Sequence, residues 1–419
     1  MASVTPLEAS VEATLSTLRA ELPQWRDQPF TIFRVPAYVR ESNPTVYEPR
    51  MVSIGPYYHG DVALRAMEDH KWRYLHDLLS RNTAVSSSLL IKEMRSMESR
   101  ARACYSERPA LESDEFVRML LLDASFILEF FFKWHTKCPD KLCDVGWGRT
   151  LITTDLLLLE NQIPFFVVEK LYDVIVAGAQ GGSRENLFNL FLEYMMNPKD
   201  LIALPSVTCD VHHLLHLHYE SAVPKRPPEP SKVRVTPRAT EMSAAGVTFI
   251  RRRRSKARDM YDVAFDGGRG VMEIPAMVID DMKRPLLINL IAFEQSQGRE
   301  EAGVVTSYVS LMGMLVRTSQ DVELLRRCGI LENLLADDDE AARFFSHLGD
   351  GGVMNYERQV FSGLYQDVQR YCGSWWHRNR ASLRRDYFGS PWSAISFVVA
   401  GLLIALTTTQ TYFTVFPSK

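Results

Sequence analysis

The chain has 419 residues, of which 46% are apolar and 24% charged, and its formal net charge is −3. That length and apolar fraction are enough for one large core or two modest ones. The near balance of 48 basic against 51 acidic side chains excludes a global pull toward nucleic acid or an acidic surface, so any such role rests on local patches.

Residues 3–22 predict a helix, with Val4, Leu7, Val11, Leu15, Leu18 and Leu22 at helical spacing. This start holds Glu8, Glu12 and Glu21 and no long apolar run, which is not the pattern of a secretory signal. Pro29 to Pro56 follows, where Pro36, Pro44 and Pro49 break any helix and leave short extended pieces and turns. Leu64 to Leu79 returns to helical spacing through Leu64, Met67, Lys71, Tyr74, Leu75 and Leu78.

From Leu89 to Ala203 the pattern is helix after helix. Met119–Phe132 has the apolarity of a membrane span, but Asp123 and Glu129 interrupt it, and a central acid costs a spanning helix about 2.5–3.5 kcal/mol. A buried helix of a bundle is therefore expected there. Asn161-Gln162-Ile163-Pro164 predicts that one apolar helix stops near Glu160 and the next starts at Pro164. Ser183 is the expected N-cap of a helix over Glu185–Met196.

Pro224 to Thr240 carries five prolines, basic residues and almost nothing apolar, which predicts a mobile linker. After it the period shortens. Val247–Ile250, Tyr261–Phe265, Val271–Ile274 and Met277–Ile279 are short β-type runs, so a small sheet is expected over about 247–279. Asp266-Gly267-Gly268-Arg269-Gly270 reads as a turn between strands. Helices resume at Leu286–Gln295, Val304–Val316, Asp321–Arg327, Glu340–Leu348 and from about Tyr356.

No charge appears between Asp386 and Lys419. Trp392 and Tyr412 flank this stretch twenty helical steps apart, roughly 30 Å, which matches a bilayer core with aromatic anchors. The expectation is a transmembrane helix at 389–414 and a short tail at 415–419. Arg378, Arg380, Arg384 and Arg385 precede it, so the positive-inside bias puts a cytosolic body on the N-terminal side. Trp375 and Trp376 beside those arginines suit a headgroup layer, giving a single-pass, tail-anchored protein of the plasma membrane or endoplasmic reticulum. Gly401 and Ala405 form one small-xxx-small pair, which raises the option of a homo-oligomer.

The fold class expected is thus mainly α. The expected parts are an N-terminal helix (1–30), a helical first segment (31–223), the linker (224–243), a sheet-plus-helix second segment (244–388), and the anchor. Six scattered cysteines suit free thiols in a reducing compartment.

Candidate chemistry is sparse. Cys209, His212, His213, His216 and His218 form the densest ligand-type cluster; His212/His216 and Cys209/His213 would share helix faces. A structural zinc needs four closing ligands and no second pair stands out, so satisfied histidines are the default and no metal or cofactor is assigned. Arg251, Arg252, Arg253 and Arg254 could contact anionic lipid, each charge being worth about 1 kcal/mol at a surface, or form a solvated loop. There is no G-x-S-x-G, P-loop, H-E-x-x-H or Gly-rich dinucleotide turn, which leaves no catalytic residue to name.

Several stretches together are specific. Ile32-Phe33-Arg34-Val35-Pro36, Tyr47-Glu48-Pro49, Val52–Tyr57, Met67-Glu68, Lys71, Arg73–Leu75, Asp155–Phe166, Asn289–Gln295, Arg385–Phe388 and Pro391-Trp392 resemble the plant family called domain of unknown function 247. The resemblance runs from about Ile32 to Tyr412. It implies a plant-specific, largely helical protein ending in one membrane span, without established enzymatic activity or agreed catalytic residues. Some grass members lie at self-incompatibility loci and are regarded as pollen-side determinants of self-recognition. The reading is therefore an anchored interaction or recognition protein with an unknown protein partner and no nucleic acid. The alternatives are a metal-dependent or acid/base hydrolase and a membrane scaffold.

Overall fold

The computed structural model describes residues 5–27, 30–176, 183–195, 209–227, 235–253, 259–297, 303–348, 359–374 and 391–415. Helices α1 (Pro6–Asp27), α2 (Ala37–Glu41), α3 (Ala66–Arg81), α4 (Ser87–Ala103), α5 (Ser113–His135), α6 (Gly148–Leu156), α7 (Phe165–Val176), α8 (Arg184–Met195) and α9 (Leu214–Ala222) come first. Next are α10 (Ala239–Ala244), the strands β1 (Thr248–Arg252), β2 (Ala264–Asp266), β3 (Val271–Pro275) and β4 (Met277–Ile279), and then α11 (Lys283–Ser296). The chain continues through α12 (Val304–Leu315), α13 (Ser319–Arg327), β5 (Leu331–Asn333), α14 (Asp338–Leu348), α15 (Ser362–Gly373) and α16 (Pro391–Val415). It divides into two compact units: Met1–Lys225 with Asp281–Glu300 and Asp350–Val353, and Arg226–Asp280 with Glu301–Gly349 and Met354–Lys419.

The first unit is built around α5. Its apolar residues run almost all the way round, the mark of a helix enclosed by others. Phe116, Leu120, Phe126, Leu128 and Phe131 have no exposed surface, and α3, α4, α7 and α8 pack on it. Burying each such side chain stabilises the unit by roughly 1.5–3 kcal/mol. The two acids that argued against a membrane span are buried in this packing and paired, Asp123 with Lys71 at 2.7 Å and Glu129 with Arg81 at 2.8 Å.

Residues 31–58 form little regular structure, so their backbone groups need other partners. Side chains from α5, from the end of α6, from the stretch after it and from α11 supply them. Asp155 Oδ1 accepts from the Arg50 amide at 2.9 Å, and its Oδ2 accepts from Met51 at 2.7 Å and Val52 at 2.8 Å. Asn161 accepts from Ile54 N at 2.7 Å and donates to Val52 O at 3.0 Å. Asp123 Oδ2 accepts from Gly55 N at 2.7 Å, and Glu160 accepts from Val35 N at 2.7 Å and from Arg40 and Tyr58. On α11, Asn289 accepts from Leu159 N at 2.8 Å and donates to Val46 O at 2.9 Å. Gln162 turns inward as well, donating to the carbonyls of Leu156 and Leu158 at 2.8 Å. Helix α7 thus starts beside Pro164 as expected, whereas α6 stops at Leu156, four residues before the expected end near Glu160.

The second unit holds two small sheets. In one, β1 pairs parallel to β3 (Phe249 opposite Met272) and β2 pairs antiparallel to β3 (Phe265 opposite Met272). In the other, β4 pairs parallel to β5 (Val278 opposite Glu332). Strand β5 lies outside the span expected from the sequence, because Leu331-Glu332-Asn333 carries a single apolar residue whereas the equally short β4 is apolar throughout. Asp266 accepts from the Gly268 and Arg269 amides and closes the β2–β3 turn. Asp321 caps α13 and also accepts from Thr240 N at 2.9 Å and Thr240 Oγ1 at 2.7 Å, which ties α10 to α13.

The C-terminal expectation needs correction. Residues 391–415 are helical, but no helix among the described residues is long and apolar enough to cross a membrane. The expectation rested on an apolar, charge-free run flanked by Trp392 and Tyr412. After Leu406 come Thr407, Thr408, Thr409, Gln410 and Thr411, a polar block covering the last turns before Tyr412. The hydroxyls of Thr407, Thr408 and Thr409 bond back to the carbonyls of Leu403, Ile404 and Ala405 at 2.7–2.8 Å. The transmembrane helix, the single-pass tail-anchored placement with a cytosolic body, and the bilayer as partner are therefore not supported.

Two substitutions test the clamp on residues 31–58. Asp155→Ala strands three amide donors, of which that of Val52 is on a buried residue, and at about 1–3 kcal/mol for a buried unpaired group the unit should lose at least about 1–3 kcal/mol in denaturant unfolding. Gly55 sits at φ +78° and an added Cβ would collide with the Gln162 carbonyl. Gly55→Ala should therefore cost at least about 2 kcal/mol. A loss under half a kcal/mol in either variant would show that the clamp is not what orders this segment.

Candidate functional site

A cleft of about 260 Å³ opens in the first unit, lined by Ser53, His59, Gly60, Asp61, Leu64, Arg65, Glu68, Trp72, Arg118 and Leu122. Its inner edge comes from the clamped segment (Ser53), one wall from the start of α3 and the other from α5. Gly60, at φ +82°, turns the chain over its mouth. Beside Ser53 lies Lys71, wholly buried, with its ammonium 2.7 Å from Asp123, 2.6 Å from Glu68 and 3.4 Å from Ser53 Oγ. Burial lowers the proton affinity of that ammonium, but Asp123 and Glu68 outweigh it and hold the group above the ordinary lysine range.

A serine beside a lysine invites comparison with a Ser–Lys nucleophile pair, which needs the lysine as a neutral base. Lys71 is held in the opposite state. The acids are occupied too. Asp61 accepts from the Ala63 amide at 2.9 Å and caps its own turn, and Glu68 is paired to Lys71. The guanidinium groups of Arg65 and Arg118 are exposed and have no ion-pair partner among the described residues.

The Cys/His cluster takes a different form from the helical face expected. Helix α9 starts only at Leu214, and His213 is its N-cap, so Cys209 and His213 do not share a helix face. The ligand-type atoms that converge are those of Cys209, His216 and Glu220, all within 4.8 Å of one another. Their hydrogen bonds describe a closed set. His216 Nδ1 accepts from the His212 amide at 3.1 Å, so its proton sits on Nε2, 3.6 Å from Glu220. A metal at Nε2 would need that position bare. Glu220 is also 3.2 Å from Lys225, and His216 with Lys225 draws its carboxyl down to about 2. Burial raises the Cys209 thiol, as does Glu220, which disfavours the thiolate a metal needs. His213 fits the same scheme: Nδ1 accepts from His216 N at 3.2 Å and Nε2 lies 3.1 Å from Thr31 O. The donor set does not suit a resident metal.

The basic run divides. Arg252 is bound by Asp262 at 3.1 Å and Glu273 at 3.0 Å, so it staples the sheet. Arg251 and Arg253 are exposed, and Arg254 lies outside the described residues. Trp375, Trp376, Arg378, Arg380, Arg384 and Arg385 also lie outside them. Trp392 falls on α16, and Tyr412 on the same helix is 59% exposed.

Sequence reasoning missed the cleft. A signal existed: Lys71 stands on the apolar face of α3 and Asp123 in the middle of an apolar helix, two opposite charges that each need a buried partner. Glu220 was missed because the search for metal-type residues followed cysteine and histidine alone.

Burial, with the neighbouring His216 and His212, holds His213 well below the ordinary imidazole range. The unfolded chain takes up that proton near pH 6.5, so the stability the neutral ring contributes is present above about 6.5 and is lost as pH falls toward the folded value. The urea midpoint should drop between pH 7.5 and 5.5, and His213→Asn, which keeps an N-cap acceptor, should shallow that slope. An unchanged slope would remove His213 as its source.

Comparisons with known proteins place the chain. A UPF0481 protein of Arabidopsis thaliana (At3g47200) is 29% identical over 412 residues, covering 90% of this chain and 85% of its own length. A putative UPF0481 protein of the same plant (At3g02645) is 24% identical over 486 residues, covering 93% and 90%. No solved structure matches. The family model described as plant protein of unknown function, DUF247, matches residues 32–406, and this chain belongs to that family.

Proposed function

We propose that this protein works by binding, as an interaction or recognition protein that carries out no catalytic step. The observation that carries this reading is the state of the buried polar groups. Asp155, Glu160, Asn161, Gln162 and Asn289, in stretches by which the chain resembles the family, are occupied by backbone and side-chain partners within the fold. A catalytic acid or base needs a free lone pair or a mobile proton facing a substrate. These groups have spent theirs on order.

The hydrolase reading has one observation in its favour, the 3.4 Å approach of Lys71 Nζ to Ser53 Oγ. The two carboxylates that keep Lys71 charged weigh against it. Within the binding reading, a part in pollen self-recognition follows only from the family, some grass members of which lie at self-incompatibility loci, and from no residue of the described structure. Loss of the gene, scored for pollen–stigma compatibility, tests that part.

The absence of catalysis is tested on purified full-length protein with a panel of carboxylic and phosphate esters. Turnover should match buffer alone, and Ser53→Ala should change nothing. Turnover abolished by Ser53→Ala would overturn the reading. Proximity capture in plant tissue should return a reproducible partner set; the same set from an unrelated bait would count against recognition.

A further inference from the structure

We infer that the cleft between the Gly60 turn, α3 and α5 is a binding site for a small organic carboxylate with an apolar body. The inference deepens the binding reading above and rests on it. Three features of the lining point there.

The first is a pair of arginines that the fold leaves without a salt bridge. Of the other charged residues around the cleft, Asp61 caps its own turn, and Glu68 and Asp123 share the single ammonium of Lys71. Arg65 and Arg118 remain, one from each wall, with no ion-pair partner among the described residues. Arginine offers a planar fork of donors that matches a carboxylate, and a charge-assisted bond of that kind is about twice as strong as a neutral one.

The second is an unspent polar atom. His59 lines the cleft, and its Nδ1 is buried with no hydrogen-bond partner in the structure. Its other ring nitrogen lies 3.5 Å from Glu115. With Nε2 donating toward Glu115, Nδ1 is an acceptor that a hydroxyl or N–H on the body of the ligand would meet. A buried polar atom without a partner costs free energy that a ligand would recover.

The third is apolar surface at the mouth. The Trp72 ring is 51% exposed and Leu64 and Leu122 close the deeper wall. Val62, on the same turn as Leu64, is 76% exposed. An inorganic anion would use the arginines and leave these surfaces wet. A ligand with an aromatic or alkyl body covers them, and its carboxylate meets the arginines. The volume suits a single-ring acid rather than a nucleotide.

The test uses full-length protein and tryptophan fluorescence at constant ionic strength, with benzoate as probe and inorganic phosphate and chloride as controls. Benzoate should change the emission saturably and at lower concentration than phosphate, and chloride should do nothing saturable. Trp72→Phe should remove the change. Arg65→Ala and Arg118→Ala should each weaken binding about tenfold, the loss expected for one charge-assisted bond. Both arginines are exposed and unpaired, so thermal melting should be unchanged and lost binding is not lost folding. A short acidic peptide with blocked termini distinguishes a protein-borne carboxylate from a free acid; binding by it in place of benzoate, lost in the arginine variants, would assign the site to a partner's side chain. No saturable response to either probe, equal response to phosphate and benzoate, or full affinity in both arginine variants would overturn the inference. Ester turnover dependent on Ser53 would sink the non-catalytic reading and leave benzoate binding standing, so the two failures are separable.

Discussion

The first unit depends on a single requirement: the backbone amides of a proline-broken segment must be paired without a helix or a sheet. Residues 31–58 cannot supply those partners themselves. Carboxylates and amides from elsewhere supply them, at 2.7–2.9 Å, from positions inside the apolar core. Burying a carboxylate costs several kcal/mol unless donors meet it. Here the amides need an acceptor and the carboxylates need donors, so each requirement meets the other. Burial drives Asp155 up to about 6 while the Arg50, Val52 and Met51 amides pull it down, which shows how closely the two effects are matched.

This explains why the polar residues of the Asp155–Phe166 stretch look like a site and behave as a scaffold. In sequence, an Asp, a Glu, an Asn and a Gln within eight positions of an apolar run suggest chemistry. In the fold they are spent on backbone. The distinction is invisible to sequence because it depends on which amides, more than a hundred residues away, arrive within hydrogen-bond distance. The helices were legible for the opposite reason. Apolar period, proline punctuation and caps are local, so α3, α5, the start of α7 and the Ser183 cap of α8 could be read directly. Strand β5 could not, since its three residues earn their place only by pairing with β4.

The C-terminal helix marks where local reading went too far. An uncharged stretch is not the same as an apolar one. Threonine hydroxyls can hide their polarity by bonding to the carbonyl one turn back, and Thr407, Thr408, Thr409 and Thr411 do so in α16. Hydropathy sees the hydroxyl and charge counting does not, so the two measures part at Leu406.

The same accounting separates the two clusters that could have been functional. Around Cys209, His216 and Glu220 each hydrogen-bonding position has a partner inside the protein: the His212 amide on Nδ1, Glu220 on the other ring nitrogen, Lys225 on the carboxylate. Close donors of metal-ligand type are then a self-satisfied network, and proximity alone says little. Around Ser53 and His59 the balance does not close. Lys71 and its two carboxylates complete the floor, but a buried imidazole nitrogen and two guanidinium groups are left over. Other buried side-chain atoms of the first unit, Ser125 Oγ and His218 Nδ1 among them, also lack a hydrogen-bond partner; what sets this place apart is that the leftover atom and the two unpaired guanidinium groups line one cleft, where a ligand can reach them.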